Sequence, residues 1–193
     1  MYIAIEGVDT AGKSTQITQL QKSFENAVIT KEPGGTPAGS MIRDIVLNTV
    51  LESQKAEFLL FLADRAEHIE SVVRPNLDRL IISDRSVVSG IAYALVRGEI
   101  SETAIIHMNR FATGGVYPDK VFLLQLSEKE LRFRLSQKEL DGIEIRGVEY
   151  LLDIQDALVK AAKLIGIELV IIDASRSIDA ITKEILNNIK EAK

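Results

Sequence analysis

The chain opens with MYIAIEGVDTAGKST, and this stretch restricts the fold more than any other. An apolar, β-branched run stops at Glu6. Gly7-Val8-Asp9-Thr10-Ala11-Gly12-Lys13-Ser14 then fits the pattern G-x-x-x-x-G-K-[ST]. Helical spacing follows at once, with Ile17, Leu20 and Phe24 at i, i+3 and i+7. A buried strand, a glycine-bounded turn and an amphipathic helix form the context in which this pattern holds phosphate. Gly7 and Gly12 permit backbone paths that a Cβ would obstruct. Successive N–H groups then face an anion at the positive end of a helix. Lys13 is expected to reach the β- and γ-phosphates of a triphosphate, and the Ser14 hydroxyl to ligate Mg²⁺. Val8, Asp9, Thr10, Ala11 and Thr15 complete the expected triphosphate-binding turn. The motif names the donor and leaves the acceptor open.

The rest of the chain repeats the strand–helix alternation. Tyr2–Ile5, Val28–Thr30, Leu80–Ser83, Val121–Leu126 and Leu169–Ile172 are short runs without in/out alternation, as expected of strands buried on both faces. Helical stripes lie between or after them: Ile42, Ile45 and Val46; Leu59, Leu60 and Ala63; Ile178, Ile181, Ile185 and Ile189. This predicts an α/β fold, a five-stranded parallel sheet flanked by helices on both sides. With 193 residues, one domain spans 1–193. Neither an internal repeat nor a low-complexity linker interrupts it. Local interruptions occur at EPGGTPAG (32–39), ATGGVYPD (112–119) and KELDGIEIRG (138–147). Ligands of open parallel sheets bind at the carboxyl ends of the strands, where the first interruption and the opening motif both fall.

Charge and composition exclude several classes. The net charge of −5 provides no broad cationic surface, so nucleic acid and membranes are not expected partners. The absence of cysteine rules out disulfides, thiolate catalysis and zinc–cysteine sites. Glu6 interrupts the first apolar run and no basic segment precedes it, unlike a signal peptide. No stretch approaches the roughly 20 apolar residues of a membrane span. A cytoplasmic protein is expected. His68 and His107, the two histidines, fit no metal-ligand pattern and read as structural or surface residues.

A second anchor lies in LIISDRS. Asp84 ends an apolar run, where a carboxylate commonly supports magnesium beside a phosphate turn. Arg85 can hold a phosphate with both arms of its guanidinium. GVDTAGKST, KEPGGT, FLADR, SDRSVVSGIAY and ATGGVYPD, in this order, resemble successive motifs of thymidylate kinases. ELDGIE resembles the lid of bacterial members. The resemblance covers most of the chain. It implies a P-loop NTPase fold of nucleoside-monophosphate-kinase type, transfer of the ATP γ-phosphoryl group to dTMP with Mg²⁺, and a homodimer.

The resemblance also implies site residues. Asp9 corresponds to the carboxylate near the deoxyribose 3′-hydroxyl of dTMP. Phe61 and Arg65, four apart on one helical face, match the thymine-stacking aromatic and the base-contacting arginine. Arg43 and Arg85 match the arginines that hold the acceptor phosphate. Ser86, Ser89, Gly90 and Tyr93 match the segment that receives the nucleoside. Asp173 and Ala174 resemble the adenine-side loop. Three departures stand out: Lys31 where arginine is frequent before Glu-Pro, Ala94 where many bacterial members have glutamine, and Thr10 where some members carry arginine inside the turn.

Thr10 cannot supply positive charge to the transferred group, so the cation is expected from a lid at about 134–147. Arg134 and Lys138, one helical turn apart, are the candidates, with Lys138 as the principal cation. A one-residue shift of the local spacing leaves the choice between them open. Arg132 is a candidate for stacking on adenine. Glu144 matches an acidic lid position without an assigned role. Two other readings remain: a kinase for another nucleoside monophosphate, and a nucleotide-binding switch protein. A guanine-specific N-K-x-D signal is absent from the sequence.

Overall fold

The computed structural model describes residues 1–137 and 147–190. Five strands form one parallel sheet: β1 (Tyr2–Glu6), β2 (Val28–Lys31), β3 (Ile81–Asp84), β4 (Lys120–Gln125) and β5 (Glu168–Asp173), in the order β2-β3-β1-β4-β5. The apolar runs predicted these strands to within a residue or two at each end. Ile3, Ala4, Ile5, Ile81, Ile82 and Val121 to Leu124 are fully buried. That burial explains why the central strands show no polar alternation.

Eight α-helices connect or follow the strands among the described residues: α1 (Lys13–Ser23), α2 (Pro37–Asn48), α3 (Gln54–His68), α4 (Val87–Arg97), α5 (Glu102–Thr113), α6 (Glu128–Leu135), α7 (Val148–Leu164) and α8 (Ile178–Lys190). Their starts follow local chemistry. Thr36, Ser53, Ser86, Ser101 and Ser127 accept a backbone N–H of the first turn of α2, α3, α4, α5 and α6, a side-chain cap for donors the helix cannot pair. Pro37 occupies the first turn of α2, where a missing N–H is harmless. α1 packs with α8, and α4 with α5 and α7. Ile181, Ile185 and Ile189 of the α8 stripe are buried as expected, while Ile178 is half exposed.

Neither of two stripes read from the sequence is buried. On α2, Ile45 is exposed with its neighbours Met41 and Leu47, Ile42 and Val46 are half-buried, and the helix buries only Gly39; on α3, Leu59 is exposed. The inward face of α3 carries Phe58, Leu62, Asp64, Arg65 and His68. Its buried charges disguise that face as polar, so the apolar Leu59/Leu60/Ala63 pattern marked the wrong side.

Strand register positions the site. Ile5 is opposite Asp84 across β1 and β3, and Lys31 is opposite Asp84 across β2 and β3. The carboxyl ends of the three strands therefore form one row, from which the opening turn, the 32–36 loop and the Arg85 segment all depart.

Candidate active site

The opening turn begins where β1 ends. Gly7 has φ of 147°, and a Cβ there would lie 2.7 Å from the Leu124 carbonyl oxygen, so β4 fills the space a side chain would need. Thr10 adopts a left-handed φ of 68° and Gly12 caps α1 at 94°. Lys13, 7% exposed, folds back across the turn. It donates to the carbonyls of Gly7 and Val8, both at 3.1 Å, and lies 3.5 Å from Asp9 Oδ1. Burial pushes its ammonium down to about 8, with nearby Arg85 adding to the effect against Asp9, Asp84 and Glu6. A lysine poised this way gains its full charge from an arriving polyanion.

Arg85 joins the turn to the next wall. Its Nη1 donates to the Gly7 carbonyl (3.1 Å) and Ser89 Oγ (3.2 Å), and its Nη2 to Asp9 Oδ1 (2.8 Å). The guanidinium carbon lies 5.7 Å from the Tyr93 ring centroid, within cation–π range. Its backbone sits at φ 66°, a strained value for a residue with a side chain. Burial opposes ionisation of Asp9, but Arg85 and Lys13 outweigh it and hold the carboxyl below its usual value.

Glu6 is fully buried one residue before the turn. It accepts from Ser86 Oγ (2.8 Å), the Ser89 N–H (3.2 Å) and Ser89 Oγ (2.5 Å). Burial raises its carboxyl, with Arg85 and the two serines pulling the other way. Sequence reading noted Glu6 only as a break in an apolar run. A carboxylate ending a buried strand was the available signal, since it must find partners nearby.

Ser86, Ser89, Gly90 and Tyr93 stand on or at the start of α4, beside the turn. Arg65 reaches them from α3: a Cβ on Gly90 would lie 2.2 Å from Arg65 Nη2. Phe61, half-buried, precedes Arg65 by one turn on the same helix. Arg43 of α2 donates from Nη1 to the Pro33 carbonyl at 3.2 Å. Ser14 and Asp84 line one cavity of about 380 Å³ with Lys31, Gly34 and Gly35. Among the described residues, the buried atoms Thr10 Oγ1, Asp84 Oδ1 and Tyr93 Oη lack a hydrogen-bond partner. An orphaned carboxylate oxygen on a residue that lines a cavity with a serine suits a hard cation that takes oxygen ligands.

On the other side of the turn, Arg134 donates to the Thr10 carbonyl (3.0 Å), the Ala174 carbonyl (2.8 Å) and Glu130 Oε1 (2.7 Å). It braces the phosphate turn against the loop after β5, with every guanidinium nitrogen engaged. Asp173 Oδ1 accepts from the Ser175 N–H and hydroxyl and shapes that loop. Arg132 is half exposed and pairs with Glu128 at 2.7 Å. Lys138 and Glu144 lie outside the described residues, as does most of the expected lid.

A sheet ordered 2-3-1-4-5 with a phosphate turn on its middle strand defines a P-loop phosphotransferase of the nucleoside-monophosphate-kinase type. The chain's relatives narrow the class. Residues 5–185 match the family model described as thymidylate kinase. The chain is 73% identical to the thymidylate kinase of Sulfurimonas denitrificans, over 98% of this chain and 99% of the relative. It is 50% identical to that of Aliarcobacter butzleri, over 96% of each. A solved thymidylate kinase structure from Ehrlichia chaffeensis superposes with a TM-score of 0.77 at 25% identity, covering 98% of both chains. The chain belongs to the thymidylate kinase family.

Proposed function

We propose that the protein is a dTMP kinase that transfers the γ-phosphoryl group of ATP to dTMP, giving dTDP and ADP. The observation that carries this reading is Arg85, bonded at once to the phosphate turn through Gly7 and Asp9 and to the acceptor wall through Ser89. Transfer between two phosphates needs alignment and positive charge more than covalent help. A single cation at the junction of the two sites meets both needs.

In this reading the backbone of residues 7–12, Lys13, Ser14 and Thr15 bind the ATP phosphates. Asp173 and Ala174 border adenine, and Arg134 keeps that border fixed to the turn. Arg43 and Arg85 hold the phosphate of dTMP, Asp9 faces its sugar, and Phe61, Arg65, Ser86, Ser89, Gly90 and Tyr93 enclose its base. Mg²⁺, held by Ser14 and Asp84, would neutralise charge on the phosphate oxygens. Lys138 supplies the further cation that Thr10 cannot.

The protein acts in the cytoplasm as a homodimer. The exposed apolar side chains Met41, Ile45 and Leu47 on α2 and Leu59 on α3 support this, because two packed helices present them outside the core. Among the described residues, no helix is long and apolar enough to cross a membrane.

ADP release measured across dTMP, dUMP, dGMP and AMP tests the function. Preference for dTMP supports it, and preference for AMP overturns it.

A further inference from the structure

Beneath the acceptor wall lies a buried polar cluster whose members come from four separate segments. Glu32, in the loop after β2, is 4% exposed; Arg65 on α3 is 2% exposed; Asn109 on α5 is fully buried. Arg65 Nε donates to Glu32 Oε1 at 2.6 Å, and Nη2 lies 2.6 Å from the same oxygen. Arg65 Nη1 donates to Asn109 Oδ1 at 2.7 Å. The Asn109 amide cannot turn over freely, because its Nδ2 donates to the Ile105 carbonyl at 2.7 Å. Gly90 completes the slot on α4, since a Cβ there would lie 2.2 Å from Nη2 and 2.8 Å from Cζ.

A guanidinium carries five N–H donors in a fixed plane. Hydrogen bonds to Glu32 and Asn109 use two of them, on Nε and Nη1, and Nη2 lies within ion-pair range of Glu32, so donors remain on both terminal nitrogens. Two N–H donors match a carbonyl oxygen and oppose an amino group. The plane is fixed from outside: Glu32 sets its rotation from one side, Asn109 from the other, and Gly90 sets its depth. Burial alone would raise the Glu32 carboxyl, but Arg65 and His68 overcome this and keep it ionised, so the ion pair persists at neutral pH.

We infer that Glu32 and Asn109 are positioning residues for base selection, holding Arg65 so that the donors left on its terminal nitrogens favour a pyrimidine with a carbonyl at its 4-position and reject one with an amino group there. This rests on the reading that Arg65 faces the acceptor base. Neither residue touches substrate; each acts through the orientation of Arg65. A site built around a fixed donor discriminates strongly against a ligand that cannot accept from it.

The test compares dTMP with dCMP as acceptors for purified full-length Asn109→Ala, Asn109→Asp, Glu32→Gln and Arg65→Gln. Asn109→Ala is expected to raise KM for dTMP about tenfold, with kcat and the KM for ATP within about threefold of wild type. Its kcat/KM for dCMP should not fall, so the dTMP/dCMP ratio drops about tenfold. Asn109→Asp keeps the acceptor oxygen for Arg65 but turns its second oxygen toward the Ile105 carbonyl, so it should recover only part of the ratio lost in Asn109→Ala. Glu32→Gln should lower the ratio at least as much; if that variant does not fold, the Asn109 pair decides alone. A ratio unchanged in Asn109→Ala, or equal losses for both acceptors, overturns the inference. If Arg65→Gln also leaves the ratio unchanged, the base-reading role of Arg65 fails. If Arg65→Gln lowers it while Asn109→Ala does not, only the positioning role fails.

Discussion

Raising the pH above 8 should disable the phosphate turn while the fold around Lys13 grows more stable. The Lys13 ammonium is pushed down to about 8 from an ordinary 10.5. That difference is on the order of 3 kcal/mol in favour of the neutral amine. Because the folded value lies below the unfolded one, the native state binds fewer protons than the unfolded chain between pH 8 and 10.5. Lys13's stabilising contribution is therefore complete above 10.5 and disappears as pH falls through 8. Activity runs the opposite way, since the triphosphate needs the charged form. The assay is kcat/KM for ATP at saturating dTMP, from about pH 6.5 to about 9.5; this parameter reports ionisation of the free enzyme. It should be level below about 8 and then fall toward tenfold per pH unit. Lys13→Arg, slower but permanently charged, should lack the inflection. A wild-type profile that stays level to pH 9.5, or the same inflection in Lys13→Arg, refutes the argument.

Four further outcomes are expected. Arg134→Ala should raise KM for ATP several-fold with a smaller change in kcat, because Arg134 braces the Thr10 and Ala174 carbonyls. Lys138→Ala should lower kcat about 100-fold at nearly constant KM; equal kcat losses in both variants would return Arg134 to the role of phosphate cation. For Glu6, whose carboxyl is raised by burial, stability is present below its ordinary value of 4.5 and lost as pH rises through the folded value. Thermal denaturation should therefore show Glu6→Gln gaining on wild type as pH increases above 4.5, and a pH-independent difference contradicts this. Ile45→Glu combined with Met41→Glu should give a monomer in light scattering, whereas an unchanged mass removes α2 from the dimer contact.

What could be read from the sequence follows from the distance over which each feature is encoded. The phosphate turn is contiguous, so its strand, glycines, lysine and helix were all visible together. Strand positions were also legible, because a run buried on both faces leaves an apolar block such as Val121 to Leu124. The orientation of α2 and α3 was not. On α3 the buried face includes Asp64, Arg65 and His68, and their partners Gly34, Glu32 and Thr30 come from the neighbouring β2 segment. No local period encodes that pairing. The resemblance singled out Arg65 and Gly90 separately, but their contact, and the support from Asn109, depend on how α3, α4 and α5 pack. Glu6 was visible as an anomaly whose partners, Ser86 and Ser89, lie some eighty residues away.

The brace at Arg134 has a consequence for how this family drifts. Both of its long-range acceptors are main-chain carbonyls, and any amino acid at positions 10 or 174 offers the same oxygen. Side chains there can change without breaking the link, so long as the backbone keeps its course. The whole chemical requirement falls on residue 134. In a comparison of related sequences the brace itself would then constrain position 134 alone, and paired substitutions would not reveal the connection. Only the three-dimensional contact shows that the phosphate turn and the loop after β5 share a fastening.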